Sequence, residues 1–169
     1  MKKEAIEACI LGMKEAGINF VSMLPDSDLV EAQRALMSNR SFISVSVSNE
    51  AIGFGVCAGA WLGGKKPALL IPTAGLMAGA FPLTTLNMQK NIPVLMVIPY
   101  RGSLGDGIWF MGPYHFTTEP VLRDLHVAYT VISKLEEIVP AIKRAQLSAE
   151  AWLRPTAVLL TGETIFEED

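Results

Sequence analysis

Phe42-Ile-Ser-Val-Ser-Val-Ser48-Asn49-Glu50-Ala51-Ile-Gly-Phe-Gly-Val-Cys-Ala-Gly-Ala-Trp-Leu-Gly63-Gly-Lys-Lys-Pro67-Ala-Leu-Leu-Ile-Pro-Thr-Ala-Gly75 decides the fold. From Phe42 to Val47 serine alternates with apolar, mostly β-branched residues, the period of a strand. Ser48 and Asn49 offer N-cap oxygens, and an apolar stretch follows to Gly63, too long for a strand. Ala68 to Ile71 is a second strand, bounded by Pro67 and Pro72. A strand, a helix and another strand within so few residues form a unit that pairs its strands in parallel.

The same alternation extends both ways. Upstream, Lys2–Ala16 places Ile6, Ile10 and Met13 at helical spacing, with Gly17 as a stop. Asn19–Leu24 reads as a buried strand. Asp26, Ser27 and Asp28 then offer caps for a helix through about Met37, with Glu31 three residues after Asp28. Downstream come a helix from Gly75 to Gln89, a strand from Pro93 to Ile98, and a long irregular stretch from Pro99 to about Phe116. A helix near Glu119–Leu125, a strand at Ala128–Ile132, a helix at Leu135–Leu153 and a strand at Thr156–Leu160 follow; the tail Glu167-Glu168-Asp169 is solvated. The expected fold is one domain over residues 1–169, a three-layer α/β/α sandwich around a parallel, roughly six-stranded sheet.

Half of the 169 residues are hydrophobic and 18% are charged, which suits a sheet covered on both faces or a subunit that hides surface against a partner. A net charge of -3 leaves no electrostatic footprint for nucleic acid or an anionic membrane. Cys9 and Cys57 do not make a disulfide scaffold, the start lacks a signal-like apolar stretch, and the longest apolar runs are broken well short of a membrane span. The expected setting is the cytoplasm.

Ligands of such sheets sit beyond the carboxyl ends of the strands, where Pro25-Asp26-Ser27, Ser48-Asn49-Glu50, Pro72-Thr73-Ala74-Gly75 and the loop from Tyr100 converge. Glu50 is the most informative of these residues. It opens a helix with no charge from Ala51 to Leu62, a pattern expected of a helix buried on all sides. That helix carries Gly53, Gly55 and Gly59, each costing about 1 kcal/mol against Ala, so close packing is expected. A carboxylate at its mouth either caps the helix against the dipole or serves chemistry in a dry pocket.

Ser48-Asn49-Glu50-Ala51, the glycine-rich helix and Lys65-Lys66-Pro67 through Gly75 together resemble the pyrimidine-binding domain of thiamine-diphosphate enzymes. Leu24-Pro25-Asp26-Ser27, Tyr100-Arg101-Gly102 and Met111-Gly112 before Thr117 and Leu122 narrow the resemblance. They are similar to the alpha subunit of sulfopyruvate decarboxylase and to the matching half of phosphonopyruvate decarboxylase. The resemblance implies a carboxy-lyase for a 2-oxo acid bearing a sulfonate or phosphonate. It also implies that Glu50 hydrogen-bonds N1′ of the aminopyrimidine, favouring the imino tautomer that takes the thiazolium C2 proton. Thr73 and Gly75 are expected to approach the pyrimidine.

Gly105-Asp106-Gly107 resembles the start of the family's diphosphate and Mg²⁺ motif, but no Asn follows Asn91 to complete it. The segment therefore reads as a flexible turn, and no metal ligand is assigned to this chain. Thiamine diphosphate and Mg²⁺ would be held by a beta subunit carrying the diphosphate-binding domain, in a hetero-oligomer. Arg101 reads either as a clamp for the substrate's sulfonate or phosphonate or as an ordinary surface arginine. Asp26 and Ser27 match pocket positions, with helix capping as the other reading. His115 reads as a pocket proton carrier or a plain loop residue, and His126 as structural. Trp109, Phe110 and Met111 read as a lid or a subunit contact. A transketolase-like half remains open, as does a flavodoxin-like binding domain. The flavodoxin-like reading lacks a glycine-rich phosphate loop, since Leu24-Pro25-Asp26-Ser27-Asp28 is acidic.

Overall fold

In the computed structural model, which describes residues 1–103 and 106–166, six parallel strands form one sheet with helices on both faces. The strands are β1 (Phe20–Met23), β2 (Ile43–Ser46), β3 (Pro67–Leu70), β4 (Leu95–Tyr100), β5 (Ala128–Ile132) and β6 (Thr156–Thr161), in the order β2-β1-β3-β4-β6-β5. Every pairing is parallel. The helices are α1 (Lys3–Glu15), α2 (Val30–Ser38), α3 (Glu50–Leu62), α4 (Thr73–Pro82), α5 (Gly112–Asp124), α6 (Ile138–Trp152) and the short α7 (Gly162–Ile165). Among the described residues no helix is long and apolar enough to cross a membrane.

Alternation along the central strands builds two cores. Leu70, Leu95, Val97, Val158 and Leu160 join α1, α2 and α6 on one face. Leu69, Ile71, Met96, Ile98, Ala157 and Leu159 join α3, α4 and α5 on the other. Phe54 of α3 is fully buried in the second core, a burial that stabilises by about 1.5–3 kcal/mol. Gly17, at φ +75°, ends α1 by donating to the Lys14 carbonyl, a left-handed position suited to glycine.

Three local expectations change. Asp26, Ser27 and Asp28 do not cap α2 with a side chain. The Asp26 carboxylate accepts the Asp28 amide, and α2 starts only at Val30. The helix expected at 75–89 is α4 followed by a π-helical turn, Leu83–Met88, because Pro82 has no amide to continue the ladder. The irregular stretch expected to Phe116 ends earlier. A 3-10 turn at Trp109–Met111 leads into α5 at Gly112, with Pro113 tolerated in its first turn. Gly105 of the Gly-Asp-Gly segment and the tail 167–169 lie outside the described residues.

Candidate functional site

The carboxyl ends of β1, β2, β3 and β4 carry the segments that the sequence marks. Asn49 caps α3, its side-chain oxygen accepting the Ala51 amide at 2.7 Å, which makes Glu50 the first helical residue. Glu50 packs against Gly75 in the first turn of α4. A β-carbon on Gly75 would lie 2.4 Å from Glu50 Cγ and 2.7 Å from Oε1. Gly75 is therefore the wall against which the Glu50 side chain rests. Its missing side chain leaves room for the carboxylate. Among the described residues the half-buried Glu50 side chain makes no hydrogen bond or ion pair.

Thr73 opens α4 and is buried, but its hydroxyl is used inside the fold. It donates to the Pro99 carbonyl and accepts the Arg101 amide at 3.1 Å, tying α4 to the end of β4.

Arg101 is not an ordinary surface arginine, for it is only 5% exposed. Nε donates to Asp106 Oδ2 at 2.8 Å and Nη2 to Asp106 Oδ1 at 3.1 Å, a two-pronged fork. Nη1 donates to the Asp28 carboxylate, and the Phe166 ring lies 5.0 Å from the guanidinium carbon. Asp106 also accepts the amides of Gly102 and Ile108 at 2.9 and 3.1 Å. Arg101 first, with these amides behind it, lowers the Asp106 carboxyl to about 2. Asp106 is thus a fixed ion-pair partner, which corrects the flexible-turn reading for that residue. Gly102, at φ +78°, meets the start of α5, where a β-carbon would lie 2.2 Å from the Met111 carbonyl oxygen.

Asp26 is half-buried and Ser27 exposed on the loop after β1. Burial raises the Asp26 carboxyl above its usual range, partly offset by the Asp28 amide. His115 lies exposed in the first turns of α5, edge-on to Phe116 at 5.1 Å. Its backbone nitrogen sits by Gly102, so it shares the Arg101 loop cluster, but it makes no hydrogen bond to Glu50. Tyr100 donates to Glu119 of α5 at 2.9 Å, and burial first, then that carboxylate, pushes the phenol up to about 12. His126 follows the end of α5 in a left-handed conformation, φ +53°, with its side chain exposed. The sequence reading missed Asp28 as a partner of Arg101, because a contact between loops separated by 73 residues leaves no spacing signal. It also missed Asp106, five residues on in the same loop, by reading that segment as a turn.

The outer surface beside Glu50 is apolar. Only Gly53, Phe54, Cys57 and Ala58 of α3 are buried, so the helix is covered on one side and not all round. Gly53 meets Leu69 and Gly79 meets Phe54, the close packing expected of helix glycines. Gly55 and Gly59 meet nothing within 4 Å. Ile52, Met77 and Phe81 are exposed at 51%, 37% and 76%, and α3 and α4 carry no charge besides Glu50.

No protein-family model matches the chain. It is 30% identical over 156 residues to the sulfopyruvate decarboxylase alpha subunit of Methanococcus maripaludis, spanning 92% of this chain and 93% of the relative. It is also 30% identical over 149 residues to the sulfopyruvate decarboxylase of Methanosarcina acetivorans, where the match spans 88% of this chain but 38% of that longer one. A phosphonopyruvate decarboxylase of Streptomyces hygroscopicus is 29% identical over 97 residues, 57% of this chain and 24% of its own. Among solved structures, the 2-oxoglutarate:ferredoxin oxidoreductase of Magnetococcus marinus superposes with a TM-score of 0.74 at 20% identity, covering 96% of this chain and 29% of that one. The fold is shared there, and the resemblance read from the Glu50 helix and the Tyr100-Arg101-Gly102 loop is matched along nearly the whole length of a curated relative. The chain belongs to the family of sulfopyruvate decarboxylase alpha subunits.

Proposed function

We propose that this chain forms the pyrimidine-binding half of a thiamine-diphosphate-dependent decarboxylase that converts sulfopyruvate to sulfoacetaldehyde and CO₂. The observation that carries the proposal is the Glu50 carboxylate, unpaired among the described residues and backed by Gly75 at the mouth of a charge-free helix. When bound, the cofactor supplies the carbanion that adds to the keto carbon and the electron sink for the pair released with CO₂. Glu50 holds a proton at N1′ of the pyrimidine, and a dry interface strengthens that hydrogen bond. The apolar walls of α3 and α4 exclude water from that proton. Asp26, Ser27 and His115 stand on the surrounding loops, with His115 as the group that carries a proton to or from the substrate.

The diphosphate and Mg²⁺ are assigned to a beta subunit. The described residues contain no group of three or more His, Cys, Asp or Glu side chains able to hold a metal. The longer Methanosarcina relative supports two halves acting together, since this chain matches only 38% of it. The two buried, unpaired cysteines fit a reducing cytoplasm. Phosphonopyruvate is the second reading, favoured by the match to the Streptomyces enzyme.

The test is an assay of the chain co-purified with its partner subunit, with thiamine diphosphate and Mg²⁺, on sulfopyruvate, phosphonopyruvate and pyruvate. Sulfopyruvate should have the highest kcat/KM. A preference for phosphonopyruvate would install the second reading, and no decarboxylation of any of the three would overturn both.

A further inference from the structure

Arg101 is the one cationic side chain that the fold buries at the carboxyl ends of the central strands among the described residues, and it is already occupied. Its fork engages both oxygens of Asp106, its remaining terminal nitrogen engages Asp28, and Phe166 lies near its guanidinium. One positive charge faces two negative ones, so the cluster is net negative, and half-buried Asp26 adds to that sign. A sulfonate arriving here would have to displace Asp28 and then sit beside Asp106. The arriving anion would exchange one carboxylate for another negative group and meet the unscreened charge of Asp106 beside the buried guanidinium, which makes that exchange unfavourable.

The same residue is joined by its backbone to the Glu50 site. The Arg101 amide donates to Thr73 Oγ1 at 3.1 Å, Thr73 also bonds the Pro99 carbonyl, and both contacts hold the first residue of α4. Two residues further on, Gly75 forms the wall behind the Glu50 carboxylate. We propose that Arg101, fixed between Asp28 and Asp106, is a positioning residue that sets the start of α4, and through Gly75 the Glu50 carboxylate, and does not bind the anionic end of the substrate. This inference rests on the proposed role of Glu50. Its consequence is that the cation reading the substrate's distal anion lies outside this cluster.

The test compares Arg101→Ala, Arg101→Lys and Asp106→Asn by two readouts. The first needs neither cofactor nor activity: amide hydrogen exchange of the purified chain. Each variant should raise exchange in the first turn of α4 and in residues 106–108 by about tenfold or more, while β3 and β6 stay protected. Unchanged protection at the start of α4 in Asp106→Asn, which keeps side-chain volume, would overturn the inference. The second readout is kinetics of the assembled complex on sulfopyruvate beside pyruvate. Positioning predicts that all three variants lower kcat for both substrates by the same factor, about tenfold or more, with little change in KM. A selective rise in KM for sulfopyruvate in Arg101→Ala, with Asp106→Asn unaffected, would overturn it in favour of direct binding. Failure of the Glu50 reading is separately visible, because Glu50→Gln would then retain activity while the exchange result stood.

Discussion

Glu50 and Gly75 meet across the start of α3 and α4 so closely that a β-carbon on Gly75 would lie 2.4 Å from Glu50 Cγ. The side chain that must yield is that of Glu50 itself, from Cγ to Oε1, and not the buried core. Gly75→Ala should therefore leave the thermal midpoint nearly unchanged while lowering kcat of the assembled enzyme by about 10²-fold, because a displacement of order 1 Å is enough for that loss. Gly79→Ala makes the contrast. There the clash is 2.2 Å from the buried Phe54 ring, so stability should fall by about 1–3 kcal/mol through overpacking. Measuring both quantities for both variants separates a functional glycine from a packing one. Unaltered kcat in Gly75→Ala would break the link.

Gly55 and Gly59 face open space in the isolated chain, although both sit in the interior of α3. Replacing each with Ala should stabilise the isolated chain by up to about 1 kcal/mol, the helix-propensity difference. If the proposed partner subunit packs on this uncovered face of α3, replacing each with Leu should prevent association, because a large side chain would stand in the contact. Sedimentation of the mixed subunits reads this directly. Normal assembly of both Leu variants would place the interface elsewhere.

Acid should loosen the Arg101 cluster in a defined window. The Asp106 carboxyl is held at about 2, below its unfolded value of about 3.9, so it contributes stability above about pH 4 that is lost as pH falls toward 2. Urea midpoints of wild type should exceed those of Asp106→Asn at neutral pH, and the gap should close across that window. Asp26 works with the opposite sign. Burial raises its carboxyl, so its charge opposes folding at neutral pH, and Asp26→Asn should stabilise the chain there. A pH-independent gap for Asp106→Asn would contradict the assigned ion pair.

The fold was legible because its signals are local. Alternation in Phe42–Val47, the charge-free stretch from Ala51 and the proline-bounded run Ala68–Ile71 give period, length and direction without any long-range information. Ala128–Ile132 coincides with β5, and Gly17 ends α1 as its type suggests. The start of α5 lies earlier than the helix expected near Glu119–Leu125, with Pro113 in a first turn that accepts proline. At the site, Glu50 stood out through the helix behind it. The contacts that Thr73, Gly75 and Arg101 make within the chain did not, because Pro99, Glu50 and Asp28 lie far from them in sequence. Such contacts depend on strand order, which residue types alone do not encode.

Cofactor binding should require the second subunit. Isothermal titration of the purified chain with thiamine diphosphate and Mg²⁺ should give no micromolar affinity, and adding the partner should produce tight binding that a metal chelator abolishes. Tight binding to the chain alone would move the metal and diphosphate site into this subunit.

The central claim is that Glu50 activates the cofactor from its place against Gly75. Exchange of the thiazolium C2 proton with solvent deuterium, followed by NMR after acid quench, reads that step without substrate. In the assembled enzyme, Glu50→Gln should slow the exchange by about 10²–10⁴-fold, the usual worth of a positioned acid or base. Its fold and subunit association should remain those of wild type. Exchange within about tenfold of wild type, with the cofactor shown to be bound, would contradict the account.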